Sequence, residues 1–154
     1  MKQSNMKDIV VCLASQEDMQ AVYTISCQAL PQDGYTLQQY CRACDLPLSI
    51  FLVAKVDCQI VGFAYGSCIA GDLHLDLLAV SPDFLRQGVG YMLLNRFLKE
   101  GEDRGAQVVS LEVRSANWPA ILLYQKAGMQ IVGTRKQFYI NPSDDALIMQ
   151  KERG

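Results

Sequence analysis

Apolar residues alternate with polar ones, or form short apolar runs, in segments whose lengths suit β-strands. These patterns predict strands at residues 9–14, 49–56, 59–70, 73–80, 107–114, 130–140 and 145–152. Elsewhere apolar residues recur every three to four positions, which is the spacing of an amphipathic helix. That spacing predicts helices at residues 17–30 and 36–44, between Gly90 and Gly105, and between Asn117 and Gly128.

The residues between these segments indicate how the elements connect. Asp57 and Cys58 separate two strands closely enough for a hairpin, whereas Asn117 suits a helix N-cap and Gly128 a helix end. Helices and strands alternate in only part of the chain, and hairpins stand at both ends. The pattern therefore predicts an α/β (α+β) fold with a mixed sheet and helices on both faces.

Composition and charge narrow the class of protein. Half of the 154 residues are hydrophobic and no linker or repeat divides them, so we expect a single domain over residues 1–154. The formal net charge of −2 argues against a nucleic-acid partner, which needs a basic surface. No N-terminal stretch is apolar enough for a signal peptide, and Lys55 ends the apolar run at residues 48–54. We expect a cytoplasmic protein with no membrane contact.

Six cysteines and a single histidine bear on metal and redox chemistry. Four cysteines fall in strand or helix patterns and are interpreted as reduced core thiols: Cys12, Cys27, Cys58 and Cys68. Cys41 and Cys44 have the spacing of a redox or zinc pair, but they also fit two thiols one helical turn apart. Because zinc prefers four ligands and no second pair exists, no metal is expected.

The segment "RQGVG", Arg86 to Gly90, joins the strand at residues 73–80 to the helix after it. Glycine lets the backbone approach a ligand closely, and the first turn of a helix offers unpaired N–H donors at the positive end of its dipole. Arg86 adds a charge suited to phosphate. The junction therefore predicts a site for a phosphate or pyrophosphate. The alternative is that Gly88 and Gly90 only permit a tight turn.

A carboxylate near the end of the strand at residues 107–114 marks a second candidate site. Glu112 and Arg114 face one side of this strand. If it runs parallel to the strand at residues 73–80, Glu112 lies at the same sheet edge as "RQGVG", where open α/β sheets bind ligands. Tyr124 follows in the next helix. Alternatively, Glu112 pairs with Arg114 or a neighbouring strand's cation, and Tyr124 is a core aromatic with its hydroxyl at the surface.

Two stretches, "LLAVSPDFLRQGVGYMLL" and "LEVRSANWPAILLYQKAGM", together resemble the acetyl-CoA-binding core of the GNAT acyltransferase superfamily. The second stretch, with "FYINPSDDALIM" after it, is similar to the RimI type, bacterial enzymes that acetylate the N-terminal alanine of a ribosomal protein. The resemblance implies a mostly antiparallel mixed sheet, no metal, and a monomer or weak homodimer. It also implies an N-acetyltransferase that moves an acetyl group directly from acetyl-CoA to an amine, with both bound together.

Carried across position by position, the resemblance assigns cofactor contacts. Backbone groups of Leu78, Ala79 and Val80 would contact the acetyl and pantetheine part of acetyl-CoA, and Asn117 would bind the pantetheine arm. The pyrophosphate would be held by the turn and first residues of the helix: Arg86, Gln87, Gly88, Val89, Gly90 and Tyr91. This reading accounts for the glycines of "RQGVG".

The same resemblance assigns the chemistry and the acceptor. Glu112 would be the general base that takes a proton from the amine, and Tyr124 the general acid that protonates the departing thiolate. A protein or peptide N-terminus would insert between the strand at residues 73–80 and residues 138–140, near Tyr139 and Asp144. His74, which shares a strand face with Asp76, is a rival base.

Three positions depart from the usual pattern. Leu85 and Tyr91 stand where phosphate-binding polar or basic residues are common, and Gln32 stands where the RimI type has an aromatic residue after proline. Fewer side-chain contacts to phosphate are therefore expected. Two alternatives stay open: a GNAT enzyme for a small amine such as a polyamine, amino acid or drug, and an acetyl-CoA sensor without turnover.

Overall fold

The strand and helix patterns lead to one mixed sheet in the computed structural model, which describes residues 8–152. The strands are β1 (Ile9–Leu13), β2 (Ser49–Val56), β3 (Gln59–Ile69), β4 (Asp72–Val80), β5 (Val108–Arg114), β6 (Gln130–Tyr139) and β7 (Asp144–Glu152). The helices are α1 (Met19–Ala29), α2 (Leu37–Cys44), α3 (Val89–Asp103) and α4 (Trp118–Lys126), with 3₁₀ turns at Gln16–Asp18 and Pro82–Phe84. Each predicted element is confirmed, with bounds that differ by a few residues.

The order of strands across the sheet is β1-β2-β3-β4-β5-β7-β6. β4 and β5 run parallel, and the other neighbouring pairs are antiparallel. The helix α3 makes the crossover that a parallel pair requires. The prediction of a mixed, mostly antiparallel sheet is therefore confirmed, and so is the parallel pairing on which the placement of Glu112 depended.

Helices cover both faces of this sheet, as predicted. On one face α3 and α4 bury Leu93, Phe97 and Ile121 against the sheet, and on the other α1 and α2 bury Val22 and Tyr40. These residues recur at helical spacing because only one stripe of each helix meets the sheet. The apolar runs of β2 and β3 are explained by burial on both faces.

A β-bulge in β4 sits beside the position where β4 leaves β5. Tyr65 of β3 pairs with Leu77 and Gly66 with Leu75, so Asp76 is an extra residue without a partner in the ladder. Glycine is required opposite the bulge, since a Cβ on Gly66 would lie 2.0 Å from the carbonyl oxygen of His74. The regular alternation from residue 73 to 77 gave no indication of this bulge.

Among residues 8–152, no helix is long and apolar enough to cross a membrane. The expectation that the N-terminal segment lacks a signal peptide falls partly on residues 1–7, which lie outside the described residues. The expected domain bounds of 1–154 likewise extend beyond them at both ends.

Candidate active site

The centre of the site is the gap between β4 and β5. Their pairing runs from Asp72–Val108 to Leu75–Leu111 and then stops, so the strands separate toward their carboxyl ends. The N–H of Ser81 donates to the carbonyl of Val61 on β3 at 2.7 Å. Because backbone groups alternate in direction along a strand, those of Leu78 and Val80 point away from β3 and toward this gap.

The turn before α3 is shaped as an anion site would require. Gly88 precedes the helix with a left-handed φ of +86°, and Arg86 also has a positive φ of +64°. No described side chain caps the helix, and a Cβ on Gly88 would meet no described atom within 4 Å. The first-turn N–H groups therefore remain free to meet a ligand.

A cation from α4 lies near the same turn. The ammonium of Lys126 sits 4.3 Å from the ring centroid of Tyr91, in the third residue of α3. Tyr91 stands where the family pattern often has a basic residue, and this contact brings positive charge to the region from another helix.

A cavity of about 290 Å³ opens at the separation of β4 and β5. Its lining includes six residues with predicted roles: His74, Leu78, Glu112, Asn117, Tyr124 and Tyr139. The turn from Arg86 to Tyr91 does not line this cavity but lies at the start of α3 beyond the end of β4. The structure thus brings the predicted proton-transfer groups together and leaves the predicted phosphate turn next to them.

Glu112 is held by an ion pair. Its Oε2 lies 2.7 Å from Nε of Arg135 on β6, and the Glu112 side chain is 23% exposed. Leu111 and Val113 are buried on the opposite face of β5, as the alternation predicted. Pairing with a cation was the alternative to a catalytic role, and such a pairing is present; the role of general base stays a prediction.

Tyr124 and Asn117 come from α4, which begins directly after β5. Asn117 caps the helix by accepting a hydrogen bond from the N–H of Ala120 at 3.3 Å, which leaves its side-chain NH₂ to bind elsewhere. Tyr124 is buried, and desolvation raises the pKa of its hydroxyl well above the usual value, with a smaller contribution from Tyr139. The hydroxyl of Tyr124 is protonated at neutral pH, as that of an ordinary tyrosine is. The alternative reading placed this hydroxyl at the surface, whereas the side chain is buried among core residues.

Arg114 joins the loops on the other side of the cavity. Its guanidinium binds Asp33 through two hydrogen bonds of 2.8 and 2.9 Å and donates to the carbonyl of Pro142 at 2.7 Å. Its Cζ also lies 4.3 Å from the ring centroid of Tyr139. These contacts fix the α1–α2 loop and the β6–β7 loop to the end of β5.

The two predicted acceptor residues differ in their surroundings. Tyr139 lines the cavity, and burial followed by the charge of Asp33 raises the pKa of its hydroxyl to about 12. Asp144 instead accepts hydrogen bonds from the Ser115 hydroxyl and from the N–H groups of Ala116 and Asp145. The hydrogen bond from Ser115 lowers the pKa of Asp144. This carboxylate supports the loop before α4, and a direct role toward an acceptor stays a prediction.

His74 forms a pair with Asp76, as their shared face predicted. Nδ1 of His74 lies 2.7 Å from Oδ1 of Asp76, and both line the cavity. This hydrogen bond raises the pKa of His74, and burial opposes the increase. The pair faces the same space as Glu112, so geometry alone leaves His74 within reach of a reaction there.

Sequence reasoning missed the partners of these residues more than the residues themselves. Asp33 and Arg135 were assigned no role, and Arg114 was noticed only because it shares a face with Glu112. The position of Arg114, two residues after Glu112, is only a weak sign of a functional residue. Nothing in the neighbouring sequence identifies Asp33 as its partner. Cys41 and Cys44 are free, and the described residues contain no group of three or more metal-binding side chains placed to hold an ion.

Comparison with known proteins gives a consistent relationship. A profile of the acetyltransferase (GNAT) family matches residues 16–129. A Bacillus subtilis protein, named provisionally as a ribosomal protein bS18-alanine N-acetyltransferase, is 31% identical over 133 residues, which are 86% of this chain and 88% of that protein. A Salmonella typhimurium protein, named a ribosomal protein bS18-alanine N-acetyltransferase, is 37% identical over 100 residues. These are 64% of this chain and 68% of that protein.

A solved structure agrees with these relatives. The crystal structure of the ribosomal-protein-S18-alanine N-acetyltransferase from Escherichia coli superposes with a TM-score of 0.86 at 26% identity, over 94% of each chain. The similarity therefore covers the site and nearly all of the fold around it.

Proposed function

The chain belongs to the acetyltransferase (GNAT) family, and from this premise we propose that its acceptor is the N-terminal α-amine of a protein, in the manner of RimI. Acetyl-CoA is the acetyl donor in this family. The relatives at 31% and 37% identity are named for the N-terminal alanine of ribosomal protein bS18, which makes that N-terminus the first candidate acceptor.

One observation carries the proposal: a carboxylate, a buried tyrosine hydroxyl and outward-facing backbone groups of β4 converge on one cavity. Glu112, Tyr124 and Leu78 all line it, although they come from three different elements. Acyl transfer to an amine needs a base, an acid and a donor to the acyl oxygen, and this cavity offers one of each.

The shape of the separated strands supports the proposed cofactor contacts. Leu78 and Val80 present backbone groups that can bind an extended pantetheine chain and the acyl oxygen, and Asn117 can donate from its side-chain amide. The open turn at Gly88 fits a pyrophosphate, because no side chain there blocks approach. Acetyl-CoA, when bound, supplies an acetyl group activated as a thioester.

Proton transfer is assigned to Glu112 and Tyr124. A peptide α-amine has a reference pKa of about 7.7 to 8.0, so most of it must lose a proton before it can attack. Glu112 takes this proton directly or through water, and the Tyr124 hydroxyl, which is protonated at neutral pH, gives its proton to the leaving thiolate.

An acetyl-transfer screen with thiol release as the readout tests the proposal. Peptides that begin with alanine or serine are compared with free polyamines, amino acids and aminoglycosides, and N-acetylated peptides serve as blanks. We expect the alanine peptides to be the best acceptors. Equal or faster transfer to a small amine would replace the peptide proposal, and acetyl-CoA binding without transfer to any amine would favour the sensor alternative.

A further inference from the structure

The ion pair at Glu112 conflicts with a simple picture of an available base. The guanidinium of Arg135 lies 2.7 Å from the carboxylate that the proposed function assigns to proton abstraction. The two side chains differ in burial, since Arg135 is 59% exposed and Glu112 is 23% exposed. The arginine is thus the less packed of the two side chains, and it reaches Glu112 from the solvent side.

The route of Arg135 to Glu112 crosses a strand. Glu112 lies opposite Ile148 on β7, and Arg135 lies opposite Ala146 on the other side of that strand. Residues in register share a face, so Glu112, Ala146 and Arg135 face the same side of the sheet. The small side chain of Ala146 leaves room for the arginine to extend over β7.

Arg135 is also the last residue in register before an irregular segment. Arg135 pairs with Ala146, and Tyr139 pairs with Asp144. An advance of four residues on β6 therefore matches an advance of only two residues on β7. Gln137 within this bulge has a positive φ of +51°, and its N–H donates to Asp145 at 2.8 Å. The bulge holds the ring of Phe138 at 5.6 Å from the Arg135 guanidinium carbon.

The ring of Phe138 offers the guanidinium a second contact. It is 45% exposed and faces solvent beside the cavity that it lines. The guanidinium contacts this ring while it pairs with Glu112, so an arginine released from Glu112 keeps an aromatic neighbour. Cation–π contacts at exposed sites have energies similar to those of exposed ion pairs, which limits the cost of the release.

We propose that Arg135 is a gating residue, which pairs with Glu112 until the ammonium group of the acceptor displaces it. This inference rests on the proposed function, because it takes Glu112 to be the acceptor's base. The ammonium and the guanidinium compete for one carboxylate, and the displaced Arg135 keeps its contact with the ring of Phe138. Arg135 is a positioning residue in this scheme and transfers no proton.

Competition of this kind depends on the charge of the acceptor. A peptide with a free N-terminus must displace Arg135, whereas the same peptide with an acetylated N-terminus carries no ammonium and need not. Removing Arg135 should therefore tighten binding of the first peptide and leave binding of the second unchanged. A purely structural role for Arg135 would affect both peptides equally.

The experiment measures the KM of an alanine-initiated peptide and the inhibition constant of its N-acetylated form, at saturating acetyl-CoA and near neutral pH. The variants are Arg135→Gln and Arg135→Lys, and Lys136→Gln is the matched control. Lys136 is the next residue, is 83% exposed and pairs with Asp145, so it controls for the loss of one positive charge nearby.

We expect Arg135→Gln to lower the KM of the free peptide by about two- to fivefold, the scale of a largely exposed ion pair, with an unchanged inhibition constant for the acetylated peptide. Arg135→Lys, which keeps the positive charge, should have a KM close to that of the unaltered protein. Lys136→Gln should change neither constant. A raised KM, or equal shifts for both peptides, would overturn the gate while leaving the proposed function intact. Failure of the unaltered protein to acetylate any peptide would overturn the proposed function and the gate with it.

Discussion

At the scale of single residues, the surroundings of each titratable group decide which proton it can handle. The hydroxyl of Tyr124 is buried and lines the cavity, and Glu112 lines the same cavity with a cation beside it. His74 has a partner in Asp76, just as Glu112 has one in Arg135. The contacts do not decide between the two candidate bases, and substitution separates them.

Glu112→Gln keeps the size and polarity of the side chain but removes its basicity. We expect turnover near pH 7 to fall by about 10² to 10⁴, the usual contribution of a general base, with little change in acetyl-CoA affinity. The defect should shrink at higher pH, where more of the amine is already deprotonated. Steady-state kinetics from pH 6.5 to 9.5, with His74→Gln as the control, checks this; a crippled His74→Gln beside a fully active Glu112→Gln would mean that His74 is the base.

The pair of His74 and Asp76 makes stability depend on pH in a known direction. Because the pKa of His74 is raised in the folded protein, its stabilising contribution is complete below the unfolded pKa of about 6.5 and is lost as pH rises through the folded pKa. The side chains are 39% and 33% exposed, so solvent screening limits the effect to about 0.2–1 kcal/mol. Urea unfolding should show a larger difference between the unaltered protein and His74→Gln at pH 5.5 than at pH 8.5, and the reverse order would contradict the assignment.

At the scale of elements, Gly88 in the turn before α3 and Arg114 at the end of β5 can each be tested by one substitution with a matched control. Gly88 and Gly105 stand at opposite ends of α3 with nearly the same φ, +86° and +89°, and a Cβ on either would meet no described atom within 4 Å. The two glycines are therefore equivalent for the fold and differ in what lies near them. This makes one the control for the other.

Gly88→Val and Gly105→Val should destabilise the protein by similar amounts, about 1–2 kcal/mol, because a branched side chain resists left-handed backbone. Only Gly88→Val should also lower the affinity for acetyl-CoA, by at least about tenfold, since its side chain would stand between the phosphate and several N–H donors. Calorimetric titration measures both affinities. Normal binding by a folded Gly88→Val variant would remove the phosphate turn from the site.

Arg114→Lys isolates the contact between the loops on the acceptor side. Lysine keeps the charge but cannot bind Asp33 with two parallel hydrogen bonds, so we expect a loss of about 1.5–3 kcal/mol of stability and a higher acceptor KM. The affinity for acetyl-CoA should not change. The control is Arg104→Lys, since Arg104 bonds to Ser49 and pairs with Glu100 outside the cavity; a matching change in KM there would refute a specific role for Arg114.

The sequence was sufficient to predict elements whose signals are local. Helix ends at Asn117 and Gly128, the hairpin at Asp57 and the two faces of β5 all follow from neighbouring residues, and each is confirmed. The bulge at Asp76 and the partners of Arg114 and Glu112 were not predicted. They depend on which strands become neighbours and in what register. The local sequence around a residue does not show which distant residue it will contact, as with Arg114 and Asp33, 81 positions apart.

At the scale of the whole molecule, the sheet consists of two antiparallel halves joined by the short parallel pairing of β4 and β5. One half contains β1 to β4, and the other contains β5, β7 and β6. Register between the halves ends at Leu75 and Leu111, whereas the ladder of β5 with β7 continues to Arg114 and Ala146. The proposed binding site is thus the place where the two halves of the sheet are least connected.

The brief contact between β4 and β5 has a thermodynamic consequence. A ligand that spans the gap binds only while both halves are in place, so its free energy of binding adds to the free energy of unfolding. Saturation with acetyl-CoA at about 100 times its Kd should therefore stabilise the protein by about 2.7 kcal/mol, visible as a Tm that rises with the logarithm of ligand concentration. Amide hydrogens of β5 should exchange more slowly in its presence, and the unchanged exchange of β5 under saturation would show that the ligand does not span the gap. The concentration of acetyl-CoA would then affect the stability of the folded protein as well as its catalytic rate.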